Sequence, residues 1–86
     1  MNIKYFKYQD IDDDDVKIEI NLDILRVRVF TTTYNYNGKA VSRNKCIAWW
    51  SAKNKKKFFN LLKNNIGYMT CETRQDYLEF INKLEE

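Results

Sequence analysis

The most constraining feature of the sequence is an alternation of apolar and polar side chains over residues 16–29. Apolar side chains occupy the even positions over 16–24 and then the odd positions over 25–29. Period-2 alternation is typical of a strand with one buried face, and a one-residue change of phase requires a turn or a β-bulge. We predict a turn near residues 21–25, because a single strand over 16–36 would be unusually long.

The dipeptide Asn37-Gly38 predicts a hairpin between this segment and the apolar residues that follow it. Asn-Gly accepts the positive φ angles of a type I′ turn, which suits a two-residue connection. In that register each residue pairs with the one that brings the sum of the two numbers to 75, so Arg26 would face Trp49. Residues 3–8 predict a further short strand.

The C-terminal half predicts two helices. Ser51 is the expected cap of the first helix, whose apolar stripe runs over 52–66 and which would end at Gly67. Thr73 and Asp76 form a loose capping box for the second helix. The apolar stripe of the second helix consists of Tyr77, Phe80, Ile81 and Leu84.

These elements predict an α+β fold: an antiparallel sheet of three to four strands with an Asn-Gly hairpin, followed by two C-terminal helices packed on one face. The 86 residues form a single small domain over 1–86, and 44% hydrophobic residues suffice for a core. No apolar run is long enough to span a membrane, and the N-terminus lacks the apolar stretch of a signal peptide. We therefore expect a cytoplasmic location, where Cys46 and Cys71 stay reduced.

Charge is sorted along the chain. Residues 1–23 carry 7 acidic and 3 basic side chains, residues 24–71 carry 10 basic and no acidic ones, and residues 72–86 carry 5 acidic and 2 basic. The formal net charge of +3 hides this division. A strongly basic central segment between acidic ends indicates a binding surface.

The predicted hairpin gathers basic and aromatic side chains on one face. The candidate binding residues there are Arg26, Arg28, Phe30, Tyr34, Tyr36, Arg43, Lys45 and Trp49. Cations neutralise phosphates, and each aromatic ring offers a base-stacking face worth roughly 1–3 kcal/mol. The alternative is an ordinary face covered by a helix or a second subunit, with the Arg side chains reaching past the apolar residues to its edge. Both a monomer and a homodimer remain open.

Two more charged segments are candidate binding sites. The acidic loop consists of Asp10, Asp12, Asp13, Asp14 and Asp15, and the weaker basic set at the start of the first helix consists of Lys53, Lys56 and Lys57. The acidic loop superficially matches a calcium loop, but Asp15 stands where that loop requires Gly and Asn21 where it requires Glu. We expect either a solvated loop or an anionic patch that imitates phosphates or docks on a basic groove. The helix dipole makes positive charge at the start of a helix unfavourable. A run of solvated lysines is still the simpler interpretation of this segment.

Catalysis is hard to build from this composition. The chain has no His, which excludes Ser-His and Cys-His nucleophiles, and neither a Walker-type nor a dinucleotide-binding glycine motif occurs. Two Cys without His cannot form a four-ligand zinc site within one chain. We predict a non-enzymatic protein with no cofactor and no metal.

Two functions fit the sequence. The basic hairpin, Ile47-Ala48-Trp49 and the following helix with Phe58 and Leu62 are loosely similar, over residues 24–66, to single-strand-binding domains of the Whirly and transcriptional-coactivator type. That resemblance implies binding of single-stranded nucleic acid, and the acidic loop departs from it.

The second hypothesis is an inhibitor that binds another protein. It is favoured because charged patches of both signs match a protein with a basic groove and an acidic rim. Asn, Lys and Ile make up 29 of 86 residues, a composition typical of AT-rich genomes such as those of many phages. In general character the chain resembles anti-CRISPR proteins. We therefore predict a small phage or mobile-element inhibitor of a host nucleic-acid-handling protein or nucleoprotein complex, without a membrane partner.

Overall fold

A computed structural model describes residues 2–64 and 71–85 as a four-stranded antiparallel sheet and two C-terminal helices, which confirms the α+β prediction. The strands follow one another in the order β1-β2-β3-β4, so β1 and β4 form the two edges. The elements are β1 (Ile3–Gln9), β2 (Asp15–Asn21), β3 (Arg26–Tyr34), β4 (Ala40–Ser51), α1 (Lys55–Lys63) and α2 (Cys71–Glu85). Neither helix, over its described residues, is long and apolar enough to cross a bilayer.

The core lies between one face of the sheet and the two helices. Its buried side chains are Phe6, Ile18, Ile20, Val27, Phe58, Leu62, Tyr77 and Ile81. The alternation in β2 explains this placement, because every second side chain of a strand points to the same side. The Phe6 ring meets the Tyr77 ring edge-on, with centroids 5.2 Å apart. The apolar stripe predicted for α2 therefore packs against the sheet as part of the core.

The change of alternation phase is a turn, as predicted. Asn21 ends β2, and its side-chain Oδ1 accepts hydrogen bonds from the main-chain N–H groups of Asp23 and Ile24 at 3.0 and 3.3 Å. Leu25 has a φ of 53° and precedes the first residue of β3. The Asn21 side chain thus holds the reversal that turns β3 back onto β2.

The predicted two-residue Asn37-Gly38 turn is not confirmed. Gly38 N–H donates to the carbonyl of Asn35 at 3.0 Å, and Asn35 N–H donates to the carbonyl of Lys39 at 2.9 Å. Gly38 has a φ of 81°, whereas Asn37 does not share the positive φ that a type I′ turn requires. The Asn35 side chain accepts from the N–H groups of Asn37 and Lys39, both at 3.0 Å, and so favours a longer tip.

The connection between β1 and β2 repeats this hydrogen-bond pattern in acidic residues. Asp10 N–H donates to the Asp14 carbonyl at 3.0 Å, and Asp13 N–H donates to the Asp10 carbonyl at 3.1 Å. The Asp10 carboxylate accepts from the N–H groups of Asp12 and Asp14, at 2.9 and 3.0 Å. Asp13, with a φ of 61°, takes the position that Gly38 holds in the other tip. Much of the acidic loop is therefore an ordered hairpin tip.

The register between β3 and β4 changes at irregularities along the ladder, which lie between Val29 and Phe30, between Thr31 and Thr33, and between Thr33 and Tyr34. Arg26 pairs with Ser51 and Arg28 pairs with Trp49, so the prediction that Arg26 faces Trp49 is wrong. A shift in register after Val29 leaves Ile47 without a direct partner in β3. The shift from the predicted pairing is two residues over this part of the ladder, which preserves the face on which each side chain lies.

The first helix begins later than predicted. Asn54 is its cap, with Oδ1 accepting the N–H of Lys57 at 2.9 Å. Ser51, the predicted cap, is instead the last residue of β4, because the shifted register pairs it with Arg26. The predicted stop at Gly67 lies outside the described residues.

The second helix begins at Cys71, so Thr73 lies inside it and does not serve as the predicted cap. The Thr73 hydroxyl donates a hydrogen bond to the carbonyl of Lys7 at 3.2 Å. This contact ties the first turns of α2 to the edge strand β1. Cys46, on β4, is exposed and forms no disulfide with the described residues.

Candidate binding face

Within the described residues, both helices pack on one side of the sheet, and the other side carries charged and aromatic side chains. We call this other side the open face, and its central residues are Tyr5, Lys17, Glu19, Arg26, Arg28, Phe30 and Trp49. Strand pairing brings them together, since residues directly opposite in neighbouring strands share a face. The open face thus contains four of the eight predicted hairpin-face residues.

Glu19 lies at the centre of the open face. Its Oε1 accepts hydrogen bonds from Nε and Nη2 of Arg28, both at 2.7 Å, and its Oε2 accepts from the hydroxyl of Tyr5 at 3.2 Å. Glu19 is only 5% exposed, although the apolar core described above lies on the other side of the sheet. Its neighbours on the adjacent strands therefore bury it, and the charge of Arg28 is balanced within the protein.

Two cations contact the aromatic rings of the open face. Lys17 Nζ lies 5.4 Å from the Tyr5 ring centroid and 5.0 Å from that of Phe30. The Arg28 guanidinium carbon lies 5.1 Å from the same Phe30 centroid. Cation–π contacts of this kind contribute about 0.5–1 kcal/mol at exposed sites. The Phe30 ring thus already holds two cations of the protein itself.

Large side chains beside this network remain exposed. Trp49 is 64% exposed and Tyr5 46%, and Ile47 on the same edge strand is also exposed. Arg26, at the end of the open face, has a buried Nε without a hydrogen-bond acceptor in the described structure. The face therefore combines fixed charges with large, exposed side chains.

The other predicted residues of the hairpin face lie toward its tip. Tyr34 donates a hydrogen bond to the Asp15 carboxylate, and this bond raises the pKa of Tyr34 above its ordinary value. Tyr36 is 96% exposed in the tip itself and belongs to neither face. Arg43 and Lys45 are exposed on β4. The predicted binding set is thus divided between the open face and the tip.

The acidic loop gathers three carboxylates. One oxygen from each of Asp10, Asp12 and Asp14 lies within 4.8 Å of the others. Asp15 is separate from them, since it begins β2 and accepts hydrogen bonds from Tyr34 and Gln9. The loop presents a compact negative surface next to the end of β1.

The predicted lysines of the first helix are all exposed. Lys53 precedes the Asn54 cap, and Lys56 and Lys57 lie in the first turn, where no acidic side chain balances them. They follow directly after the end of β4. Their positive charge therefore continues that of Arg43 and Lys45 along one edge of the protein.

Sequence reasoning missed three central residues of the open face: Tyr5, Lys17 and Glu19. Tyr5 pairs with Glu19, which pairs in turn with Arg28, and Lys17 pairs with Phe30. The alternation in β2 could have identified Lys17 and Glu19. The polar residues of such a strand lie on the same face as the polar residues of a neighbouring antiparallel strand. Identifying them required the register between β2 and β3.

Comparison with known proteins adds nothing to this description. No family model, curated protein or solved structure matches the chain. Its function is therefore inferred from the residues of the open face and the charged segments around it.

Proposed function

We propose that the protein is a non-enzymatic binding protein whose open face docks on another protein. The observation that carries this proposal is the charge pairing at the centre of the face, where Glu19 holds Arg28 at 2.7 Å. A face whose charges are already paired and fixed loses little side-chain entropy on binding. Trp49 and Tyr5, exposed beside the pair, are of the residue types that dominate the energetics of protein interfaces, as is Arg28.

The same pairing disfavours a stacking platform for bases. Phe30, the central ring of the predicted basic–aromatic face, is only partly exposed and already contacts Lys17 and Arg28. A base that stacked there would have to displace these cations from the ring. Nucleic-acid platforms combine accessible rings with cations that are free to meet phosphates.

The charges around the open face support a nucleic-acid-handling protein as the partner. The carboxylates of Asp10, Asp12 and Asp14 form a dense anionic surface that can imitate phosphates in a basic groove. Arg43 and Lys45 offer the opposite charge to an acidic rim. By occupying such a groove the protein would act as an inhibitor, with the phage or mobile-element origin that its AT-rich composition suggests.

Single-stranded nucleic acid is the second candidate, favoured by the exposed Trp49 and by the exposed cations Arg43 and Lys45 on the same strand. A fluorescein-labelled random 20-nucleotide DNA, followed by fluorescence anisotropy at low and moderate salt, separates the two. Binding at micromolar concentration that weakens steeply with salt would establish nucleic acid as the partner. We expect no such binding.

Two charge reversals sharpen the same test. Asp12→Lys reverses a charge in the acidic loop, while Lys45→Glu reverses one on β4; both sites are exposed. Asp13 is avoided because its positive φ makes most substitutions strained. For a basic protein groove Asp12→Lys weakens capture of the partner from a bacterial lysate, whereas for nucleic acid Asp12→Lys strengthens binding and Lys45→Glu weakens it.

A further inference from the structure

Among the described residues, no strand pairs with the outer side of β4, because β4 is an edge of the sheet. Ala52 N–H donates to the carbonyl of Leu25 at 3.1 Å, just beyond the last residue pair of β3 and β4. Hydrogen-bonded pairs alternate along an antiparallel ladder. Trp50 therefore exchanges main-chain bonds with β3, while Trp49 and Ser51 direct their N–H and C=O groups away from it.

The two halves of this edge differ in how they resist a further strand. Residues 42–46 include Arg43, Lys45 and a main-chain irregularity at Asn44, whose φ is 48°. Charges and irregular backbone are devices that protect natural sheet edges from pairing. Residues 47–51 contain no charge, no Pro and no positive φ. Beyond the irregularity at Ile47 they pair regularly with β3, so this half is open to pairing.

Two buried donors at the end of the unprotected half have no acceptor among the described residues. They are Nε of Arg26, which pairs with Ser51 on the open face, and Nε1 of Trp50, whose side chain lies on the helix side. A buried donor without a partner costs about 1–3 kcal/mol. Of the two side chains, the partly exposed Arg26 therefore favours a ligand that brings acceptors to the open face.

The helix side of β4 offers space as well. A recess of about 470 Å³ is lined mainly by apolar side chains, including Ile47, Ala48 and Trp50 of β4 together with Val29 and Leu62. Side chains of an added strand would alternate between this recess and the open face. Apolar residues suit the recess, and residues that accept hydrogen bonds suit the side of Arg26.

Charge defines the added strand further. The sequence has no Asp or Glu over residues 24–71, and exposed cations flank the unprotected half on both sides. Arg43 and Lys45 precede it, and Lys53 and the first turn of α1 follow it. The complement of this edge is an acidic segment.

We infer that the partner adds an extended acidic segment, with apolar residues at alternate positions, as a fifth strand beside residues 47–51 of β4. This inference rests on the proposed function and names the part of the partner that the protein would hold. Main-chain hydrogen bonds to Trp49 and Ser51 would supply affinity, as in other cases of strand addition. The acidic side chains would meet Arg26 and the flanking cations.

The test uses the peptide Glu-Val-Glu-Ile-Glu-Val-Asp-amide, labelled with fluorescein at its N-terminal amine, titrated with the full chain and followed by anisotropy. One control carries N-methyl groups on its three central amides, which removes its main-chain donors but keeps its charge. The other control carries Lys in place of every Glu and Asp. We expect the acidic peptide to bind at least about tenfold more tightly than either control.

A protein variant tests the same contact from the other side. Ser51→Pro removes an N–H that points away from β3, a position at which an edge strand tolerates Pro, and Ser51→Ala is its matched control. Ser51→Pro should weaken peptide binding about tenfold while Ser51→Ala leaves it unchanged. If Ser51→Pro fails to fold by circular dichroism, the N-methylated peptide still decides the question.

Amide hydrogen exchange locates the peptide: exchange at Trp49 and Ser51 should slow when it binds. Equal binding of the N-methylated or Lys peptide, or no binding of the acidic peptide up to about 1 mM, would overturn strand addition. A dimer of the protein alone that slows exchange at these two amides would assign the edge to a second copy and overturn it too. Lysate capture that Trp49→Ala abolishes would leave the proposed function standing in each of these cases.

Discussion

The two faces of the sheet bury their side chains by different means. On the helix side, Ile20 and Val27 are almost fully buried by apolar groups from α1 and α2. On the open face, Glu19 is almost as deeply buried, but by Arg28 and Tyr5 in neighbouring strands. Only the open face, however, carries large exposed side chains beside a centre that is buried and fixed.

This difference separates stability from binding. Apolar burial is the dominant favourable contribution to folding, so the helix side carries most of the stability of so small a domain. The open face stabilises the sheet less, because part of the gain from its ion pair is offset by desolvation of the charges. What its pairing provides is a fixed arrangement of Arg28, Tyr5 and Trp49.

The largest expected effect is on the helix side. Ile20→Ala should lower the free energy of unfolding by about 2–5 kcal/mol, because it leaves a cavity at a fully buried position. Urea denaturation measures this change. Ile24→Ala is the matched control, since Ile24 is 53% exposed and should change stability by less than about 0.5 kcal/mol. Similar losses for both variants would contradict the division between the faces.

The next effect breaks the centre of the open face. Glu19→Gln should lower the free energy of unfolding by ~1–3 kcal/mol, because Arg28 loses its charged acceptor in a partly buried place. A double-mutant cycle with Arg28→Met measures the coupling between the two side chains. A coupling near zero would mean that the pair does not organise the face.

A smaller effect appears at alkaline pH. Burial raises the pKa of Tyr77 well above its ordinary value of 10.0, and its hydroxyl donates to the carbonyl of Leu62. The unfolded chain therefore loses this proton at lower pH than the folded protein. The contribution of Tyr77 to stability is fully present below about pH 10 and decreases above it, by up to ~1.4 kcal/mol per pH unit.

The check on Tyr77 is urea denaturation from pH 8 to 11 for the wild type and Tyr77→Phe. The wild type should lose stability more steeply above pH 10 than the variant, which cannot ionise at this position. Parallel decreases would show that Tyr77 does not resist ionisation in the folded protein.

The smallest expected change in stability is at the exposed anchor. Trp49→Ala should alter the free energy of unfolding by at most about 0.5 kcal/mol, because the side chain is 64% exposed. Urea denaturation beside Ile20→Ala tests this directly. A loss comparable with that of Ile20→Ala would make Trp49 part of the core and remove the reason to regard it as an anchor.

Much of the fold could be predicted from local pattern. The alternation over 16–29 predicts β2, β3 and the turn that Asn21 holds, and the apolar spacing in the C-terminal half predicts both helices. The tip of the second hairpin could not be predicted from Asn37-Gly38 alone. The side chain of Asn35 selects a longer turn by accepting two main-chain hydrogen bonds. The register itself moved by two residues only beyond the irregularities along β4, and this shift also moved the cap of α1.

The candidate site was predictable only in part. Arg28 and Trp49 share a face in either register, because a shift of two preserves parity. Glu19 and Lys17 could not be added to that face without knowing how β2 pairs with β3. The role of Glu19 also depends on its distance from Arg28, because two opposite charges form a fixed ion pair only within hydrogen-bond range.

The central claim is that the open face binds a protein through Trp49. The most direct test is quantitative affinity capture from a nuclease-treated bacterial lysate, comparing the wild type with Trp49→Ala and Leu78→Ala. Leu78 is an exposed apolar residue of α2 and serves as the matched control. We predict that the wild type and Leu78→Ala retain the same proteins and that Trp49→Ala loses them. Retention of the same proteins by Trp49→Ala, or complete loss of capture after nuclease treatment, would contradict this account.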